Sequence, residues 1–132
     1  AIILTIVACD QLGNVFKNYF CRLRPMFDPY MLENGIHIVA EKSGLYGFYS
    51  AHAANSVGFA VSSLIALRPS GKKRYEVYSV VICIWALLVS LSRVFVAKHF
   101  LGDIIVGAAF GVLFGTLFAV ISNRIPLEKR SH

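Results

Sequence analysis

Two apolar runs dominate the chain, and each approaches the roughly 20 residues that a helix needs to cross the hydrocarbon of a bilayer. Val77 to Ala97 is the first, interrupted late by Ser92 and Arg93; Phe100 to Ser122 is the second, with Asp103 near its start. Ala53 to Leu67 is shorter and gains length when its helix opens at Ser50, a residue suited to capping a helix N-terminus. Ala1 to Phe20 reads as one more helix, apolar first and amphipathic from Asp10 onward. Lys17 and Arg24 lie seven residues apart, two turns, and share a face if that helix persists to Pro25, which should end it. The pattern therefore predicts a single all-α, membrane-embedded domain over 1–132, with helices near 1–24, 50–67, 75–97 and 99–122. Phe27 to Gly47 is a mixed loop with turn signals at Asp28, Pro29, Asn34, Gly35, Gly44 and Gly47, and His37 to Ala40 fits a short extended segment.

Two stripes of small residues add detail. Ala54, Gly58 and Ser62 recur every four residues in one helix, and Gly107, Gly111 and Gly115 do so in another. Such faces let helix backbones approach closely where lipid offers no hydrophobic drive to pair them. Composition agrees with the pattern. Of 132 residues, 57% are hydrophobic and only 15% charged, and the mean hydropathy is +0.65. A soluble domain carries roughly 25% charge, so lipid is the expected solvent.

Ala1 to Cys9 spans about 14 Å as helix, too short to cross a membrane alone. It lacks the basic flank and small-residue cleavage site of a signal peptide. The expectation is that it forms the end of a helix begun earlier, so that the chain is a fragment of a larger bundle. Cys9, Cys21 and Cys83 are odd in number and show no metal-ligand spacing, which argues against a disulfide framework or a cysteine metal site.

The net charge of +6 comes without a basic face interleaved with aromatic residues, so nucleic acid is not an expected partner. The charge divides by loop instead. Four basic residues sit in the 68–74 turn and three in the tail from Arg124, which is expected to fray; six lie at the opposite end (Lys17, Arg22, Arg24, Lys42, Arg93, Lys98). Three of those six are candidates for ligand binding, and five of the seven acids share their end. The basic turn and tail are therefore assigned to the cytoplasm, and the other end faces outward.

That outward end gathers the chemistry. Arg93, Lys98, His99 and Asp103 fall where one apolar run gives way to the next, a place where ionisable groups are costly unless they face a partner or an aqueous cavity. Lys17 and Arg24 emerge at the same depth, as does Ser50-Ala51-His52. Taken singly each has an ordinary reading: an interfacial face for Lys17 and Arg24, a cap for Ser50, a dipole partner for Asp103. Taken together they suit a phosphate. Fixed cations, a hydroxyl and backbone N–H groups at a helix start bind a dianion, and a preformed cationic cradle stabilises the charge spread over a phosphoryl transition state. Two histidines supply a neutral nucleophile and a protonated acid. Asp103 follows His99 by four residues, so on one helix it could hold a ring nitrogen of His99 and leave the other free to attack.

These segments, Lys17-x6-Arg24-Pro25, Ser50-Ala51-His52 and Ser92-Arg93-x5-His99-x3-Asp103, resemble the three-part signature of the type-2 phosphatidic-acid phosphatase superfamily, in the same order and over most of the chain. The middle segment departs from it. The family commonly has Pro-Ser-Gly-His where this chain has Tyr49-Ser50-Ala51-His52, and Ala51 keeps its N–H but loses glycine's access to positive φ. The resemblance implies His99 as the nucleophile that forms a phosphohistidine, Asp103 as its orienting carboxylate and His52 as the general acid. It implies Lys17, Arg24, Ser50, Ala51 and Arg93 as the phosphate-binding set, with no metal or other cofactor. Membrane members of the family have six transmembrane helices, so the chain is similar to the third through sixth.

The expected function is a metal-independent phosphatase of lipid phosphates or pyrophosphates, working at the outer boundary of a cytoplasmic (inner) membrane. Its expected partners are that substrate and the surrounding membrane lipids. Undecaprenyl pyrophosphate, phosphatidylglycerophosphate and lipid A phosphates all suit such a site. Two rivals use the same cradle: a non-enzymatic binder of lipid phosphate head groups, and a vanadate-dependent haloperoxidase, whose soluble relatives lack such long apolar runs.

Overall fold

A computed structural model describes residues 1–39, 44–68 and 72–124. Among the described residues five α-helices follow one another: α1 (Ile2–Phe20), α2 (Pro29–Glu33), α3 (Ala51–Leu67), α4 (Lys72–Phe95) and α5 (Leu101–Arg124), with a 3₁₀ turn at Pro25–Phe27 before α2. The fold is all-α, as expected. Helix α3 is its axis, packed upon by α1, α4 and, most extensively, α5.

The first helix stops earlier than the Lys17–Arg24 spacing required. Cys21 turns left-handed (φ 46°, ψ 34°) and returns its N–H to the Lys17 carbonyl at 3.1 Å, closing α1 at Phe20. Arg24 is then extended (φ −72°, ψ 155°), the conformation that Pro25 imposes on the residue before it. The chain is pinned there by a short antiparallel contact. The Arg24 N–H donates to the Leu45 carbonyl at 3.1 Å, and the Gly47 N–H donates to the Arg22 carbonyl at 2.9 Å. Beyond it, Asp28 caps α2 by accepting from the Met31 N–H at 3.3 Å, with Pro29 at the first helical position. No strand forms at 37–39, and Ala40 lies outside the described residues, as do 69–71 of the basic turn and the tail from 125.

The two small-residue stripes meet each other. A Cβ on Gly107 would come within 2.5 Å of the Ser50 carbonyl oxygen, one on Gly111 within 2.5 Å of that of Ala54, and one on Gly115 within 2.9 Å of that of Gly58. Serines tie the remaining contacts. Ser62 Oγ donates to the Gly115 carbonyl at 3.2 Å and lies 3.1 Å from Thr5 Oγ1, while Tyr78 OH donates to Ser63 Oγ at 2.8 Å. Such bonds hold helices where apolar burial cannot distinguish a neighbour from lipid. Just before α3, Tyr49 stacks on Phe110 at 5.0 Å and donates its hydroxyl to the Cys9 carbonyl at 2.8 Å, joining α1 and α5 to the start of α3.

Helices α4 and α5 are long and apolar enough to cross a membrane. Val77, Val80, Val81, Ile84, Leu87 and Leu88 of α4 are all exposed, as a helix facing hydrocarbon requires and a helix in a soluble core does not allow. The chain is an integral membrane protein. Its three cysteines are free thiols, with Cys9 buried and Cys21 and Cys83 exposed.

The glycine seam yields a stability prediction. Alanine at 111 gains about 1 kcal/mol of helix propensity. It meets backbone rather than a side chain that can swing away, and overpacking of that kind costs about 1–3 kcal/mol. Gly111→Ala is expected to lower the midpoint of thermal unfolding in detergent, whereas Val112→Ala, on the exposed face, leaves it nearly unchanged. Equal midpoints would show that the seam is loose.

Candidate active site

A cavity of about 230 Å³ opens at the end of the bundle where α1 finishes, α3 starts and α4 gives way to α5. Lys17, Arg24, Ala51, His52, Arg93, Lys98 and His99 line it. Four cations and two imidazoles thus face one volume.

Each arrives by a different local device. Lys17 stands in the last turn of α1, and Arg24 comes from the extended stretch after it. They share the cavity because the chain folds back through Cys21, not because a helix carries both. Arg24 Nε donates to the Tyr46 carbonyl at 3.1 Å. Burial pulls its guanidinium below the ordinary range, and the Asp103 carboxylate opposes that shift. Arg93 occupies the last turn of α4, where its Nε donates to Ser92 Oγ at 3.1 Å. Its carbonyl accepts from the N–H groups of both Lys98 (3.1 Å) and His99 (3.2 Å), because Ala97 between them is left-handed (φ 53°). Arg93, Lys98 and His99 therefore form a single structural turn. Ala51 opens α3 in helical conformation, so this position asks nothing of a glycine.

The two remaining candidates stand behind the cavity rather than in its wall. Ser50 is fully buried; its hydroxyl accepts from the Ala53 N–H at 3.4 Å as the cap of α3, and its own N–H donates to the Asp103 carbonyl at 3.1 Å. Asp103 is 1% exposed in the first turn of α5. His99 precedes that helix, so the two do not stack along a helical face. Asp103 Oδ2 accepts from the Phe100 N–H at 2.9 Å and lies 3.7 Å from His99 Nδ1, beyond hydrogen-bonding distance. Nδ1 is buried and has no hydrogen-bond partner among the described residues. With Nδ1 turned inward, Nε2 is the nitrogen that the ring offers to the cavity.

Three participants escaped the sequence reading of the site. Arg22 donates to Asp103 Oδ1 at 2.8 Å and lies over the Phe100 ring, 4.7 Å from its centroid. Lys98 lies among the charges between the two apolar runs, and its place beside His99 is the available signal. In the sequence Gly47 is a turn signal only. A Cβ there would fall 2.7 Å from Arg24 Cγ and 3.6 Å from His99 Nδ1, so the residue lets the 44–47 segment lie against both. Nothing in its sequence context announces that approach.

The chain is similar to known proteins in sequence and in fold. The model of the PAP2 superfamily matches residues 1–126. A lipid A 4'-phosphatase of Bacteroides thetaiotaomicron is 35% identical, over 99% of this chain and 56% of the relative. A lipid A 4'-phosphatase of Porphyromonas gingivalis is 34% identical, over 87% of this chain and 47% of the relative. The chain thus spans about half the length of these curated relatives. Among solved structures, a transmembrane PAP2-type phosphatidylglycerolphosphate phosphatase from Bacillus subtilis superposes with a TM-score of 0.76, covering 98% of this chain and 60% of its own, at 21% identity.

The Arg22–Asp103 pair is testable by a double-mutant cycle on thermal stability. Arg22 is 46% exposed, so its half of the pair is solvent-screened, but Asp103 is buried and loses a charged donor when Arg22 goes. Arg22→Ala is expected to cost about 1–3 kcal/mol, with much less lost in an Asp103→Asn background. A coupling near zero would make the contact idle.

Proposed function

The chain belongs to the PAP2 superfamily, and on that premise we propose that it hydrolyses lipid phosphates through a phosphohistidine, without a metal. The observation that carries this reading is the single cavity that holds four cations and two histidines. Lys17, Arg24, Arg93 and Lys98 neutralise the phosphoryl oxygens, a charge that a divalent ion would otherwise have to supply. The N–H groups at the start of α3, beside Ala51, add donors, and Ser50 fixes that start.

His99 Nε2 attacks phosphorus while the bond from phosphorus to the ester oxygen breaks. His52, protonated, gives its proton to that oxygen, and the alcohol leaves. The neutral imidazole of His52 then takes a proton from water as the water oxygen attacks the phosphohistidine, releasing phosphate and restoring both rings. Asp103, 3.7 Å from Nδ1, favours the tautomer with the proton on Nδ1 and leaves Nε2 its lone pair. Ion pairing to Arg22 holds that carboxylate in place.

The substrate is a lipid because the cavity lies at the end of apolar helices, where a head group reaches charge while its chains stay in hydrocarbon. The two lipid A 4'-phosphatases support a phosphomonoester on a lipid head group. The lysine and arginine distribution supports an inner membrane with the cavity on its outer side.

Phosphate release in detergent tests the reading, using full-length protein, a panel of lipid phosphates and excess EDTA. Release is expected to survive EDTA and to fall at least about 10³-fold in His99→Ala. Loss in EDTA would mean a metal enzyme, and lipid binding without turnover in the wild type would mean a binder.

The role of His52 has its own test. A general acid matters in proportion to the basicity of the leaving group, so His52→Ala is expected to slow alkyl phosphates by about 10²–10⁴-fold and p-nitrophenyl phosphate far less. Equal losses on both would remove His52 from the acid role.

A further inference from the structure

A second cavity, of about 420 Å³, adjoins the phosphate pocket between α1, α3 and α4 and shares Ala51 and His52 with it. It lies further along the helices, toward the middle of the bundle. Asn55 and Phe59 follow His52 in α3 by about one and two turns, Trp85 precedes Arg93 in α4 by about two, and Asp10 precedes Lys17 in α1 by two. All four line the cavity.

Its chemistry is divided. Phe59 and Trp85 form an aromatic wall, edge to face at 5.9 Å. Facing it, Asp10 Oδ1 accepts from Asn55 Nδ2 at 2.8 Å, while Asn55 Oδ1 is buried and has no hydrogen-bond partner among the described residues. A carboxyl group and an orphaned amide oxygen at this depth are costly unless a ligand uses them. Both are acceptors, so the group they await is a donor. A second phosphate would meet the negative charge of Asp10 at the place where it would have to leave.

Among the described residues no lysine or arginine lines this cavity, whereas His52 does, so an oxygen protonated by His52 can carry its alcohol here. Resting on the phosphatase reading above, we infer that it is the subsite for the leaving alcohol, in which Asn55 and Asp10 bind a free hydroxyl while the aromatic wall takes the carbon face. The chain accordingly takes phosphomonoesters of hydroxylated lipids, acylated sugars or glycerolipids, in preference to prenyl pyrophosphates.

The test compares kcat/KM of full-length protein in detergent on four probes: an acylated glucosamine phosphate, lysophosphatidic acid, an alkyl phosphate of matched chain length and farnesyl pyrophosphate. At least one hydroxylated probe is expected to exceed the alkyl phosphate by roughly tenfold, the worth of one or two hydrogen bonds. The sugar and glycerol arms tell which skeleton carries the hydroxyl. Asn55→Leu and Asp10→Asn should each bring that ratio toward one, and Asp10→Asn should also raise farnesyl pyrophosphate relative to the alkyl phosphate. Ratios within one preparation do not depend on the folded fraction. Asp10→Asn is isosteric and keeps an acceptor for Asn55, so it decides the matter if Asn55→Leu fails to fold. A wild-type ratio near one, or ratios unchanged in Asp10→Asn, would overturn the subsite and leave the phosphatase standing. No His99-dependent release from any probe would overturn both.

Discussion

The seam between α3 and α5 is the contact on which the site depends. In hydrocarbon, two apolar helices gain nothing by hiding side chains from a solvent that is itself apolar, so they associate through close packing and hydrogen bonds. Gly107, Gly111 and Gly115 remove the side chains that would hold the backbones apart, and each then faces a carbonyl of the partner helix. The contact nearest the cavity, Gly107 on the Ser50 carbonyl, sits beside the bond from the Ser50 N–H to the Asp103 carbonyl. One seam thus fixes both helix starts, and with them the relation of His52 to His99. Two residues 47 positions apart in sequence are set by a row of absent side chains.

Holding the cations together works against stability. Lys17, Arg24, Arg93 and Lys98 face one small volume, and the buried carboxylate nearest to them, Asp103, gives one oxygen to Arg22 and the other to the Phe100 N–H. Among the described residues that line the cavity, cations are present and carboxylates are not, a setting that suits an anion. Mutual repulsion is tolerated because backbone structure holds the cations in place: Lys17 in α1, Arg24 in the extended stretch after it, and Arg93 and Lys98 in one shared turn.

Much of this could be read from the chain, and the failures have a common cause. Charge at the ends of apolar runs is costly and therefore conspicuous, which made Arg93, His99 and the Ser50–His52 turn visible. The small-residue stripes were visible for the same reason, since period four in an apolar helix has few other uses; that the stripes face each other was not. Arg24 was placed near Lys17 by helical spacing, whereas the structure brings it there through a left-handed Cys21 that no residue type announces. Arg22 and Gly47 stayed hidden because their roles are defined by what folds against them. An arginine two residues from another arginine looks no different whether it lines a cavity or meets a buried aspartate. Ser50 shows the converse: the residue was singled out, but its hydroxyl serves the helix start and not the wall of the cavity.

The link between α4 and α5 carries the site's clearest backbone strain. Ala97 is a non-glycine residue in the left-handed region, a conformation that costs about 1–2 kcal/mol for a residue with a Cβ. Glycine would adopt it freely and would also loosen it. Ala97 is 4% exposed, and its carbonyl accepts from the Met26 N–H at 3.2 Å, which ties this turn to the stretch just after Arg24. The strain is what lets the N–H groups of Lys98 and His99 both return to the Arg93 carbonyl. A relaxed residue at 97 would let α4 continue or uncoil, and either outcome would separate His99 from the cations of the cavity. Rigidity at that one turn does for His99 what the glycine seam does for His52.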